Sequence, residues 1–176
     1  WQLAPALFGL VNDDVRFGGV MGHQVDMFAD ADNRQLPTFW SRWRCRGSAG
    51  RCAFRQSWEG KNLFANPPFV LIAKVVAEAQ RRHAALTLVC QHDPQRLWWP
   101  LVRPGARAVV ATRRFKARAT NYLVEGHPLL RAPKADVWVV RLDFTLQRQE
   151  AALRARLLSG HFARFGVRPR SPGVLC

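Results

Sequence analysis

The sequence predicts an α/β domain of three layers built around a mostly parallel sheet. Three observations carry this expectation. Apolar segments of strand length alternate with helical patterns along the chain. Over residues 62–90 the order is strand, Pro-Pro turn, helix, strand, a βαβ unit that implies parallel pairing and a right-handed crossover. The chain has 176 residues, 48% of them hydrophobic, which allows one core of this type and leaves little room for a second.

Residues 3–11 form a short amphipathic stretch, read as a helix that breaks near Asn12-Asp13-Asp14. Gly18, Gly19 and Gly22 then mark a loop, and residues 24–29 read as a short, largely buried strand ending in the turn-rich Asp30-Ala31-Asp32-Asn33. The basic and aromatic residues 37–50 show no period and are read as loop. Residues 62–65 are a second strand, which must stop at Pro67 and Pro68 because paired prolines leave ladder acceptors without donors. From residue 70 to 83, Leu71, Val75, Val76 and Ala79 recur at helical spacing, with Lys74, Glu78, Arg81 and Arg82 turned outward. Residues 84–90 are a strand, apolar apart from Thr87. Residues 98–101 make a bulky turn or short helix, with Trp98 and Trp99 read as core or lid. Residues 108–112 and 137–144 are further strands. Residues 146–158 read as a terminal helix with a basic tail, so the expected organisation is a domain over 1–145 and a separate segment over 146–176.

Twenty-seven basic against twelve acidic residues give a net charge of +15, a balance suited to a polyanionic partner such as nucleic acid. All but four of the basic residues are arginines, a skew that a GC-rich genome also produces. No apolar run reaches the ~20 residues of a membrane helix, which argues against a transmembrane role. The start at Trp1 shows no signal-peptide pattern and suggests a piece of a longer chain. Cys45, Cys52, Cys90 and Cys176 lack zinc spacing and are read as free thiols, implying an intracellular setting, nuclear or cytoplasmic. The five histidines form no recognisable triad or metal set.

In an open parallel sheet, ligands sit beyond the carboxyl ends of the strands. Asn66-Pro67-Pro68-Phe69 falls there. An Asn oxygen and a proline carbonyl can accept hydrogen bonds from an exocyclic amine, drawing its lone pair out of the ring. Prolines fix those acceptors in advance, and an aromatic neighbour stacks on the base. The structural alternative is a plain strand-to-helix turn, with Asn as cap and Pro in the first helical turn.

Residues 3–8, Val25-Asp26-Met27-Phe28-Ala29, Ser57-Trp58-Glu59-Gly60 and Asn66-Pro67-Pro68-Phe69 stand in the order found in phage-type DNA N6-adenine methyltransferases, which the chain resembles. It resembles still more closely the methyltransferase-like domain that follows reverse transcriptase and RNase H in DIRS-type retrotransposon polyproteins. The further matching stretches are Trp1-Gln2-Leu3, Asn33-Arg34-Gln35-Leu36-Pro37, Pro67 to Ile72 and Trp98-Trp99-Pro100-Leu101-Val102, and the resemblance spans about residues 1–145. It implies a Rossmann-like methyltransferase fold, S-adenosylmethionine as donor and adenine in DNA as acceptor. Asp26, Phe28 and Ala29 would border the cofactor, and Asn66, Pro67, Pro68 and Phe69 would hold the target amine. Two features depart from the family: no Gly-rich turn follows Asp26, and Cys52 and Ser57 stand where carboxylates are usual.

Arg113, Arg114, Lys116 and Arg118, with Phe115 interleaved, read either as a phosphate-gripping loop or as a solvated basic face. Trp40, Trp43 and their neighbouring arginines read as surface Arg–Trp packing or as a stacking loop. Two functions follow: an adenine-specific DNA methyltransferase domain, or a catalytically lapsed domain that binds nucleic acid or braces neighbouring reverse transcriptase and RNase H domains.

Overall fold

The computed structural model describes residues 2–146 and residue 149. The expected helix over 146–158 and the basic tail lie outside the described residues, apart from Leu146 and Gln149. The elements are β1 (Gln2–Leu3), α1 (Pro5–Asn12), α2 (Val15–Gly18), β2 (Val25–Asp26), β3 (Trp40–Ser41), β4 (Gly50–Arg51) and β5 (Leu63–Ala65). There follow α3 (Ile72–Arg81), β6 (Ala85–Gln91), α4 (Trp99–Val102), β7 (Val109–Phe115), β8 (Tyr122–Val124), β9 (His127–Pro128) and β10 (Val137–Asp143). Short 3-10 turns cover Ala53–Arg55, Phe69–Leu71 and Ala119–Asn121.

The main sheet has the order β2-β5-β6-β10-β7. The pairs β2–β5 and β5–β6 are parallel but only two and three residues long. Strand β10 runs antiparallel to β6 over seven residue pairs and to β7 over six, so most of the ladder is antiparallel. Among the described residues the longest α-helix has ten residues. This corrects the expectation of a Rossmann-like, three-layer domain with a mostly parallel sheet: among the described residues the sheet is mixed and the four α-helices are short.

The cause lies in residues 116–136. A parallel return needs a crossover to the opposite end of the sheet, usually helical. Between β7 and β10 the chain instead makes the β8–β9 hairpin, which pairs with β1, so β10 re-enters the sheet where β7 left it. Two further expectations change. Residues 37–50, read as loop, contain β3 and the start of β4, paired in parallel and buttressed by Ser48, whose hydroxyl donates to the Gly50 carbonyl at 2.6 Å. The strand read over 24–29 is only Val25–Asp26.

The core divides by sheet face, because alternate strand residues point to opposite sides. On one face Val75, Val76 and Ala79 of α3 pack with Leu86, Leu88, Val140 and Leu142. Trp98 and Trp99 are buried in the same cluster, with Trp99 edge-on to Trp138 at 5.6 Å. On the other face Phe8, Val11 and Phe17 pack with Phe64, Val89 and Val139. The outward residues of α3 pair as their spacing suggests, Glu78 with Arg81 and Arg82. Among the described residues no helix is long and apolar enough to cross a membrane.

Candidate functional site

Strands β2 and β5 end side by side, with Asp26 opposite Phe64 and Met27 N–H donating to the Phe64 carbonyl at 2.9 Å. Beyond them lies a cavity of about 360 Å³, lined by Asn66–Phe69, Phe28, Asn33 and Tyr122. The volume is at the small end for ligand sites and suits one nucleoside-sized group.

Pro67 ends β5, and Pro68 (φ −51°, ψ 138°) turns the chain into the 3-10 segment that leads to α3. The Pro68 carbonyl accepts from Leu71 N–H at 2.8 Å. Pro67 is therefore the proline whose carbonyl has no backbone partner among the described residues. Neither the 3-10 turn nor α3 has a side-chain cap, so Asn66 is not serving as a helix cap. Its half-buried amide lines the cavity and has no hydrogen-bond partner among the described residues. A half-buried amide without partners is a ready donor and acceptor for a ligand.

The ring of Phe28 is held from behind by Phe54, edge-on at 5.7 Å, and Phe54 in turn lies 6.3 Å from Trp58. The Trp58 Nε1–H donates to the Ala53 carbonyl at 2.8 Å, which fixes this buttress. Lys74 places its ammonium over Phe54 at 4.4 Å. On the opposite wall Phe69 meets Tyr122 edge-on at 6.4 Å. Tyr122 sits on β8 opposite Leu3, and the Leu3 carbonyl accepts from the Gln35 side chain. Gln35 N–H donates to the Asp26 carboxylate at 3.0 Å, so one residue ties both walls to the end of β2.

The three residues expected beside a cofactor separate. Phe28 lines the cavity. Ala29 is buried and donates its N–H to the Trp40 carbonyl at 3.2 Å. Asp26 is buried, and its carboxylate accepts from backbone N–H groups of Gln35 and Phe28 rather than facing the cavity. Burial pushes its pKa up to about 6, against the lowering effect of those N–H groups.

An adenosine moiety fits this site in part. Phe28, Phe69 and Tyr122 supply ring faces and edges, and Asn66 supplies an amide. The Asn33 amide is already committed to Asp30, donating to Oδ2 at 3.2 Å and accepting from N–H at 2.9 Å. Among the described residues no carboxylate lines the cavity to hold ribose hydroxyls, and neither Cys52 nor Ser57 lines it.

The basic residues after the fourth expected strand fall on β7 and just beyond it, at the same rim of the sheet. Arg113 donates to the Leu10 carbonyl at 2.7 Å, lies 3.7 Å from Asp14 and stacks on Phe115 at 5.6 Å. Arg114 pairs with Asp136, while Lys116 and Arg118 are exposed. The group is thus half structural and half solvated. Near the end of β3, Arg42 stacks on the exposed Trp43 at 4.9 Å, the surface packing anticipated for that segment.

Tyr122 and Asn33 were not singled out as site residues. Tyr122 is the chain's only tyrosine, but its place in the wall depends on the β1–β8 pairing, which no local pattern announces. Among the described residues no group of His, Cys, Asp and Glu is placed to hold a metal ion, and Cys45, Cys52 and Cys90 are free thiols. No protein-family model matches the chain, and no curated protein matches it.

Proposed function

We propose that the chain is an S-adenosylmethionine-dependent DNA N6-adenine methyltransferase-like domain of a retroelement polyprotein, acting on a flipped adenine at Asn66–Phe69. The observation that carries this reading is the meeting of Phe28 and Asn66–Phe69 around one cavity, with the Asn66 amide unclaimed by the fold. When bound, the donor supplies an electrophilic methyl group on sulfur. The chain's own residues do the rest. Asn66 Oδ1 and the Pro67 carbonyl accept from the exocyclic amine, and these contacts strengthen as the nitrogen becomes cationic. Phe69 stacks on the base, and the prolines hold the acceptors in place without reorganisation. Arg114, Lys116 and Arg118, with Arg113 behind them, lie at the same rim to meet phosphates. An intracellular site of action, nuclear or cytoplasmic, beside reverse transcriptase and RNase H belongs to the same reading.

A second reading, a lapsed domain that holds nucleic acid or braces its neighbours, is favoured by one observation. The acid expected beside the cofactor, Asp26, is spent on backbone N–H groups. Calorimetric titration of the full chain with S-adenosylmethionine separates the two. The first reading expects saturable heat, and methyl transfer to DNA that disappears in Asn66→Ala while DNA binding persists. Absence of any heat at high protein concentration leaves the second, whose signature is salt-sensitive nucleic-acid binding indifferent to the cofactor.

A further inference from the structure

At the opposite end of the strands lies a larger cavity, of about 560 Å³, between the entry to β5, the start of β6 and the end of β10. Among the described residues three cations line it, Lys61, Arg82 and Arg141, against one carboxylate, Glu59. Arg82 is committed elsewhere: it pairs with Glu78, donates to the Gln56 carbonyl at 2.7 Å and stacks on Trp58 at 4.9 Å. Arg141 is different. It stands on β10 in the middle of the sheet edge, and no carboxylate is within salt-bridge distance among the described residues. Asp143, two residues on, accepts instead from Thr145 N–H at 2.9 Å and from the Thr145 hydroxyl.

One nitrogen of the guanidinium is fixed. Nη1 donates to Asn62 Oδ1 at 2.6 Å and to Thr87 Oγ1 at 3.4 Å. Asn62 cannot turn away, because its Nδ2 donates to the Gly18 and Gly22 carbonyls, the latter at 2.9 Å. Gly18 itself packs against the end of α1, where a Cβ would lie 2.1 Å from the Asn12 carbonyl oxygen. Thr87 is held in turn by His23 Nε2 at 2.8 Å. The Nε and Nη2 edge of Arg141, the fork that grips an oxyanion with two parallel hydrogen bonds, has no partner among the described residues. Burial also disfavours its charge, a cost that a bound anion relieves.

We propose that this cavity is an anion site that takes a terminal phosphate group, gripped by the Nε–Nη2 edge of Arg141 with Lys61 and His83 at its mouth. The excess of cations over the one carboxylate suits a dianion better than a single carboxylate. His83 brings a ring N–H to the rim from a backbone in the left-handed region (φ 50°), where α3 ends. Trp58, Ala84 and Ala85 form an apolar wall beside the cations, so the rest of a phosphorylated molecule has a surface to lie on. The phosphate belongs either to a free nucleotide or to the 5′ end of a nucleic acid, and both present the same dianionic group. The site is independent of the Asn66 cavity at the other rim.

The test is calorimetric titration of the full chain with inorganic phosphate, then with a short oligonucleotide carrying a 5′ phosphate or a 5′ hydroxyl. Saturable phosphate binding is expected, about tenfold weaker in Arg141→Lys, which keeps the charge and loses the fork. Lys61→Gln, at an exposed rim position, weakens it severalfold, and Lys134→Gln, at an exposed position outside both cavities, leaves it unchanged. Lys61→Gln keeps the test decisive should Arg141→Lys fail to fold. A preference for the 5′-phosphorylated over the 5′-hydroxyl oligonucleotide assigns the site to a nucleic-acid end, and equal affinity for the two assigns it to a free nucleotide. No saturable binding, or equal losses from Lys61→Gln and Lys134→Gln, overturns the proposal.

Discussion

Two asparagines stand at the two ends of the three-residue strand β5, and the fold treats them in opposite ways. Asn62 donates to the Gly18 and Gly22 carbonyls, accepts from Arg141, and gives its own N–H to Gln24 Oε1 at 2.9 Å. Asn66, four residues on, has no hydrogen-bond partner among the described residues and faces a cavity with aromatic walls. The amino rim of the sheet is wired together: Asn12, His23, Asn62, Thr87 and Arg141 form one network. At the carboxyl rim the Asn66 amide is left open. A buried amide used for stability is recognised by its partners, and one kept for a ligand by their absence.

The largest effect that tests this contrast is on stability. Asn62→Ala should cost about 4 kcal/mol, because it strands two glycine carbonyls and the Arg141 guanidinium together. Asn66→Ala should change stability by less than about 0.5 kcal/mol. Denaturant unfolding of both variants decides the matter, and equal losses would erase the distinction between the rims.

The next effects are pH dependences of opposite sign. Burial, with Arg141 nearby, lowers the His23 pKa to about 4. The unfolded chain therefore takes up this proton first, and stability falls as pH drops from about 6.5 towards 4, by about 3 kcal/mol. His23→Gln should remove that loss. Asp26 works the other way. Its carboxyl is held up to about 6 in the fold, so the native state binds the proton first. Stability falls as pH rises through about 4 to 6, by roughly 3 kcal/mol, and Asp26→Asn should abolish this slope while keeping an acceptor for Gln35 N–H. Unfolding curves at pH 4, 5, 6 and 7 for the three proteins separate the terms, which oppose one another in the native chain. The smallest effect is at the basic rim: Lys116→Gln should leave stability unchanged and lower the salt slope of DNA binding by about one.

Much of the local structure is readable from the sequence. The helical period of residues 70–83 becomes α3, and the prolines end β5 where they must. The Asn66 segment was legible because prolines constrain the backbone locally and an amide beside them has few local uses. The amino-rim network was not legible. His23 and Thr87 lie 64 residues apart and Asn62 and Arg141 lie 79 apart, with no motif joining them. The place of Tyr122 in the cavity wall has the same origin, since it comes from pairing with Leu3, which is distant in sequence.

By itself the sequence determined the apolar strands, the amphipathic helix, the Pro-Pro break and the excess of positive charge, since each depends on neighbours within a few residues. Tertiary structure alone decided the direction of β10 and which of two nearby asparagines is consumed by the fold. It also brought Arg141 to a cavity where, among the described residues, no carboxylate lies within salt-bridge distance of it. Strand direction and hydrogen-bond satisfaction depend on where distant segments return to the sheet, and loop closure over tens of residues leaves no periodic trace in the chain.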